Sequence, residues 1–268
     1  MSGATPDDLF DVAGKVALVT GASGSYGRTV SVALAARGAK VLMASGSPDA
    51  LDEAVAEARA AGGDVTPVVR RPDLPEDAEA LVDATVAAYG TIDLLVVGSG
   101  LNKNPNPIQD LELEDWEATM DANVRGPWVL AKAFGSRLIR EERRGKMVLV
   151  SSVRGRFGNN SGYTAYCTSK GAVDALTRVL GTEWGPYGIN VNAIAPTVFR
   201  SGLTSWIYAD SEKGNAVRDR NLRRIPLGRL GEPEDLIGVS LFLLSDASDF
   251  MTGQILYVDG GYSSAGGN

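Results

Sequence analysis

Tyr166 and Lys170 stand four positions apart in Y-C-T-S-K (Tyr166–Lys170). At helical spacing, residues i and i+4 share a face, so the phenol and the ammonium point the same way. A phenol titrates near ~10 and is a poor base at neutral pH. A cation beside it favours the phenolate, which predicts a lowered pKa for Tyr166. Such a tyrosine can exchange a proton with an alcohol or a ketone. Upstream, the apolar run Met147–Val150 ends in Ser151-Ser152, and either hydroxyl could hydrogen-bond a substrate oxygen. Alone, Tyr-x-x-x-Lys is a weak signal, because a surface lysine beside a packed tyrosine has the same spacing.

What the chain lacks narrows the chemistry. Its 268 residues contain no histidine and one cysteine, Cys167. Without imidazole there is no Ser-His-Asp hydrolysis and no His-bound zinc, so no metal site is expected and proton transfer falls to Tyr, Lys, Asp or Glu. One cysteine excludes an internal disulfide and fits a reducing cytoplasm. A net charge of −7 argues against nucleic acid or an anionic membrane as the main partner. No apolar stretch reaches the roughly 18 residues of a spanning helix, and the acidic start M-S-G-A-T-P-D-D has no signal-peptide core. A cytoplasmic protein acting on a small molecule is expected.

The elements that must position these residues read in alternation. Apolar runs predict strands at Lys15–Thr20, Lys40–Ala44, Asp64–Val69, Thr91–Val97, Lys146–Ser151, Ile189–Ile194 and Gln254–Val258. Helical patterns fall between them: Tyr26–Arg37, Pro48–Ala61, Glu76–Tyr89, Glu114–Glu142 with a break at Gly126-Pro127, Gly162–Trp184 and Glu234–Leu244. Strand–helix alternation predicts an α/β fold, a mostly parallel, doubly wound Rossmann sheet with helices on both faces, as a single domain over residues 1–268. Ala195–Arg224 is a long irregular stretch with a short helix, read as a substrate-binding segment over about 196–225.

The first strand breaks into G-A-S-G-S-Y-G (Gly21–Gly27) and then a helix. That context predicts a dinucleotide site, with pyrophosphate at the helix N-terminus beside Gly21, Ser23, Gly24, Ser25, Tyr26 and Gly27. After the second strand, where an acid would bond a ribose 2′-hydroxyl and a base a 2′-phosphate, stand Ser45, Gly46 and Ser47. The missing acid and the two hydroxyls lean the cofactor towards NADP(H) over NAD(H), with Arg70 and Arg71 as cations that could reach. Gly98, Ser99 and Gly100 follow the fourth strand and suit close backbone approach to a ligand. Asp73 and Pro196 also follow strand ends, so one crevice collects these groups, the serine pair and the Tyr–Lys helix.

These motifs together resemble the short-chain dehydrogenase/reductase family in its common form of about 250 residues. The likeness runs from about Leu9 to Tyr262, through T-G-A-S-G-S-Y-G, Asp73-Leu74, Asn123, Ser151-Ser152, Y-C-T-S-K, G-I-N-V-N-A-I-A-P, R-I-P-L-G-R-L-G-E-P-E-D and Y-V-D-G-G. It implies a seven-stranded sheet and a nicotinamide cofactor that also meets Leu74, Thr197 and Val198. It implies Tyr166 as acid/base and Lys170 as the residue that lowers its pKa and holds the nicotinamide ribose. It further implies Ser152 as donor to the substrate oxygen and Asn123 as support for a proton-relaying water. Many members place the serine one residue nearer the tyrosine; of Ser151 and Ser152, the latter is preferred. Homotetramers or homodimers are common in the family.

Three departures stand out. The usual middle glycine falls at Ser25, with Gly24 one place earlier; N-N-A-G is replaced by Val97–Gly100; and P-G after the sixth strand becomes Pro196-Thr197. The expected function is hydride transfer between a secondary alcohol and a ketone. Asn102, Arg154, Asn160, Tyr163, Arg200 and Trp206 are candidate substrate contacts, several polar or cationic, which suits a hydroxylated or sugar-acid substrate. A 3-oxoacyl thioester reductase, or a non-catalytic nucleotide-binding protein on the same fold, is the alternative.

Overall fold

The computed structural model describes residues 5–159 and 162–265. Seven strands form one sheet, every neighbouring pair parallel: β1 (Val16–Thr20), β2 (Lys40–Ser45), β3 (Asp64–Val69), β4 (Leu94–Val97), β5 (Gly145–Val150), β6 (Ile189–Pro196) and β7 (Ile255–Val258). Their order is β3-β2-β1-β4-β5-β6-β7. The order reverses between β1 and β4, which is where ligands meet such sheets, beyond the carboxyl ends of the strands. Register aligns those ends: Thr20 lies opposite Val97, and Val150 opposite Ile194.

The helices are α1 (Pro6–Leu9), α2 (Ser25–Ala35), α3 (Pro48–Ala60), α4 (Pro75–Tyr89), α5 (Leu113–Met120), α6 (Gly126–Arg140), α7 (Thr164–Trp184), α8 (Ser205–Tyr208), α9 (Glu212–Leu222) and α10 (Ile237–Leu244). Alternation along each strand sorts the core into two layers. Val19, Val41, Met43 and Val96 pack with Leu34 of α2, Leu51 of α3 and Leu241 of α10. Leu18, Leu42, Leu95 and Leu149 pack with Leu81 of α4, Phe134 of α6 and Val173 of α7. Strands buried on both faces must be apolar throughout, which is why they read as unbroken apolar runs. A third cluster, Val153, Ile207, Ile225, Leu230 and Tyr262, seats α8 and α9 over the carboxyl end of the sheet. No helix among the described residues is long and apolar enough to cross a membrane.

The sequence places a helix break at Gly126-Pro127, but the chain there is already helical. The irregularity comes one turn earlier, as a π-turn over Asp121–Arg125, where Gly126 N–H donates to Asp121 O. A proline ring clashes with the carbonyl four residues back, here that of Asn123. One widened turn relieves the clash without ending the helix. The stretch read as carrying one short helix holds two, α8 and α9.

Candidate active site

A cleft of about 970 Å³ opens along the carboxyl ends of β1, β2, β4, β5 and β6. At one end, β1 turns sharply through Gly21, whose φ is +66°. A Cβ there would meet Ser99 N at 2.7 Å, and one on Gly27 would meet Gly21 O at 2.3 Å. Helix α2 then begins at Ser25 with Gly24 as N-cap and no side chain capping it. Its first N–H groups, lacking intrahelical partners, face the cleft as an anion site. The shifted glycine therefore leaves the phosphate donors in place. Tyr26 ties the turn to α10 through a hydrogen bond of 3.1 Å with Ser240 Oγ, and burial pushes its phenol pKa up. The bare backbone at Gly21 and the uncapped helix fit a dinucleotide.

Beside the turn, Ser23 and Ser45 hydroxyls lie 2.6 Å apart, and Ser47 N–H donates to Ser45 Oγ at 3.2 Å. Arg71 reaches across from the end of β3 and lies on Gly46, where a Cβ would meet its Nε at 2.3 Å. Arg70 is held instead by Asp77 at 2.6 Å. Asp73, Gly98, Ser99, Gly100, Pro196, Thr197 and Val198 line the same cleft. Two expected cofactor residues do not. Gly27 backs the turn from behind, and Leu74, 47 % exposed, serves as N-cap of α4. Gly27 is packed on Gly21, and at Leu74 the chain turns into α4 just after Asp73.

At the cleft's centre, the end of β5 meets the first turns of α7. Ser151 and Ser152 separate in role. Ser151 is buried, its Oγ donating to Asp174 Oδ1 at 2.5 Å. Ser152 lines the cleft with it, caps the turn Val153–Gly155 by accepting from Arg154 N–H at 3.1 Å, and holds its hydroxyl near enough to the Tyr166 phenol to lower that group's pKa. Tyr163 stands edge-on to Tyr166, ring centroids 6.2 Å apart.

The Lys170 Nζ lies 5.6 Å from the Tyr166 ring centroid and donates to Val150 O at 2.7 Å. The two residues share a face as their spacing requires. The expected lowering of the phenol pKa is not what the geometry gives. Burial dominates and pushes Tyr166 up to about 12, with the Ser152 hydroxyl the chief opposing influence. Burial also pulls Lys170 down to about 8, and the Asp174 carboxylate resists this. The sequence exposes the neighbouring cation but not the loss of water around both groups.

Asn123 sits in the π-turn, buried, with its side chain turned to the loop after β4. Its Oδ1 accepts from Leu101 N–H at 2.7 Å, while Nδ2 donates to Leu101 O at 2.7 Å and to Ser169 Oγ at 2.9 Å. It thus supports Val97–Gly100, the segment that lacks the family's own asparagine. A Cβ on Gly100 would fall 3.5 Å from Lys170 Nζ and 3.8 Å from Asn123 Oδ1, so the three converge.

The other end of the cleft holds Asn102, Arg154, Tyr163, Arg200 and Trp206. Asn160 lies outside the described residues. Arg200 is engaged, 3.0 Å from Glu232 and stacked on Tyr208. Helix α9 adds Lys213, Val217, Arg220 and Asn221 to this wall. The sequence reading missed them, although positions i, i+4, i+7 and i+8 are one helical face. Among the described residues, Arg154, Lys213 and Arg220 make no ion pair, and Asp73 is the one carboxylate lining the cleft.

Known proteins carry the same pattern. The family model described as enoyl-(acyl carrier protein) reductase matches residues 21–263. An uncharacterized oxidoreductase of Mycobacterium tuberculosis is 49% identical over 95% of this chain and 93% of its own length. The gluconate 5-dehydrogenase of Gluconobacter oxydans is 35% identical over 95% of this chain and 96% of its own. A solved Agrobacterium tumefaciens structure, described as a 2-deoxy-D-gluconate 3-dehydrogenase with bound NADP, superposes with a TM-score of 0.86 at 34% identity, covering 96% of this chain and 99% of that one. Motifs, sheet order and relatives agree that the chain belongs to the short-chain dehydrogenase/reductase family, NAD(P)-dependent oxidoreductases acting on CH–OH and C=O groups.

Proposed function

We propose that the chain interconverts a secondary alcohol and a ketone on a hydroxylated, carboxylate-bearing substrate such as a sugar acid, with NADP(H) preferred. The observation that carries this reading is the Tyr166 phenol, gathered with Ser152 and Lys170 in a cleft that continues to the uncapped start of α2. The bound nicotinamide supplies or accepts the hydride at the substrate carbon. Tyr166 gives a proton to the ketone oxygen or takes one from the alcohol; with its pKa near 12 it carries that proton at neutral pH. Ser152 donates to the same oxygen and fixes its place. Lys170 keeps a positive charge beneath that oxygen, and Asn123 holds Leu101 and the glycine segment against it.

The substrate class is supported by the cationic wall of Arg154, Lys213 and Arg220 facing a cleft almost free of carboxylates. The gluconate-type relatives are consistent with it. NADP(H) is supported by Arg71 with Ser23 and Ser45, which together offer a 2′-phosphate a guanidinium and two hydroxyls. Substrate contacts cluster on the segment carrying α8 and α9. We also expect pairing of copies through α6 and α7, whose outer faces expose Trp128 and Val179. A spectrophotometric panel of sugar acids, neutral polyols and 3-oxoacyl thioesters with both cofactors tests the reading; sugar acids should turn over fastest, and preference for a thioester would overturn the substrate class.

A further inference from the structure

Three consecutive residues at the end of β5 are each held by a residue of α7, and those three are spaced one helical turn apart. Val150 O accepts from Lys170 Nζ at 2.7 Å, Ser151 Oγ donates to Asp174 Oδ1 at 2.5 Å, and the Ser152 hydroxyl lies toward the Tyr166 phenol, whose pKa it lowers. Tyr166 and Lys170 belong to the site already described. Asp174 does not: it lies a further turn along, 5 % exposed, behind the cleft wall and not part of its lining. The strand end is also pressed onto it. A Cβ on Gly155 would lie 2.6 Å from Asp174 Oδ2 and 2.9 Å from Lys170 O, so the turn that follows Ser152 fits only against this carboxylate.

A buried carboxylate is costly unless hydrogen-bonded, and Ser151 is the hydroxyl that satisfies it. Anchoring Ser151 decides the direction of the next hydroxyl, because neighbouring side chains on extended backbone point apart. We infer that Asp174 is a positioning residue for the reaction: by binding Ser151 it fixes the end of β5 so that Ser152, not Ser151, faces Tyr166. Its charge also faces Lys170. The groups around Asp174 are Lys170 and Arg178 on its own helix, Ser151 from β5 and Tyr257 from β7, the last with Arg156 over its ring at 5.8 Å. Around Lys170 are Tyr166, Asp174 and Val150 O.

The inference rests on Tyr166 and Ser152 as the reacting pair, so each is tested separately, with kcat, KM and cofactor Kd by fluorescence in the full chain. Ser151→Ala and Asp174→Ala should each lower kcat about tenfold to a hundredfold, as expected for a displaced catalytic group, and leave cofactor Kd nearly unchanged. The double variant should be no worse than the singles, since both remove one tether. Ser151→Thr, which keeps the hydroxyl, should restore most of the loss. Asp174→Asn keeps an acceptor for Ser151 and removes the charge, so it should move the alkaline limb of the kcat profile to lower pH. If Asp174→Ala does not fold, Ser151→Ala and Asp174→Asn carry the test. Unchanged kcat in Ser151→Ala with an unmoved limb in Asp174→Asn overturns the inference, as do losses that multiply in the double variant. Normal turnover in Tyr166→Phe would instead overturn the catalytic reading itself.

Discussion

Arg71 lies on Gly46: the space a side chain would need at position 46 is taken by the Arg71 guanidinium arm, its Nε 2.3 Å from where a Cβ would be. The contact joins the ends of two neighbouring strands, β2 and β3, and brings the Arg71 arm to Gly46, next in the chain to Ser45, in the cleft that Ser23 and Ser45 also line. Arg71→Ala should weaken NADPH binding roughly tenfold to a hundredfold, the worth of a hydrogen bond to a charged group, and leave NADH nearly untouched. Gly46→Ala should act in the same direction by displacing the arm. Titration of nucleotide fluorescence with both cofactors measures this; equal losses for NADH and NADPH would refute the 2′-phosphate assignment.

Tyr166→Phe removes one hydroxyl and keeps the ring that packs beside Tyr163. Cofactor affinity should persist while turnover falls by about 10²–10⁴. Stopped-flow hydride transfer with saturating substrate reads the step directly, and turnover near that of the unaltered protein would remove Tyr166 from the chemistry.

Lys170 is pulled from 10.5 to about 8 by burial, so its charge is present below about pH 8 and lost as pH rises through that value. Ketone reduction, which needs the cation near the developing alkoxide, should therefore fall as pH increases past about 8. The Tyr166 proton, held to about 12, does not limit the rate there. A kcat profile between pH 6 and 10 with Lys170→Met as comparison measures it, and a flat profile would show that the ammonium does not act as a charge.

Arg154 reaches the cleft from the turn after Ser152, and Arg220 from α9 on the far wall. If they meet a carboxylate, Arg154→Ala and Arg220→Ala should each raise KM for a sugar acid by about threefold to thirtyfold, yet barely affect a neutral polyol. Added salt should mimic part of the effect. Parallel losses on both substrates would mean that these arginines shape the wall without reading charge.

Much of this was legible in the chain because parallel strands buried on both faces advertise themselves. The apolar run Val16–Thr20 and the glycines that end it admit few readings, and Tyr166 with Lys170 share a face by spacing alone. What escaped depends on partners distant in sequence or on solvent. The Ser151–Asp174 bond spans 23 positions. The placement of Arg71 depends on β3 lying beside β2. The phenol pKa was misjudged because a motif names a neighbouring charge but is silent on burial, and here burial is the larger influence. The break in the α5–α6 segment was misplaced because a proline's clash is felt four residues upstream of the proline itself.

That widened turn at Asp121–Arg125 sets a rotational phase. Because Gly126 N–H reaches back five residues, α6 is offset from α5 by about a quarter revolution relative to an uninterrupted helix. Deleting Asp121 or Ala122 should restore even winding and swing the Asn123 amide away from Leu101. The loop after β4 would lose its clamp without any change to Asn123 itself, so the length of this short stretch matters as much as the identity of its asparagine.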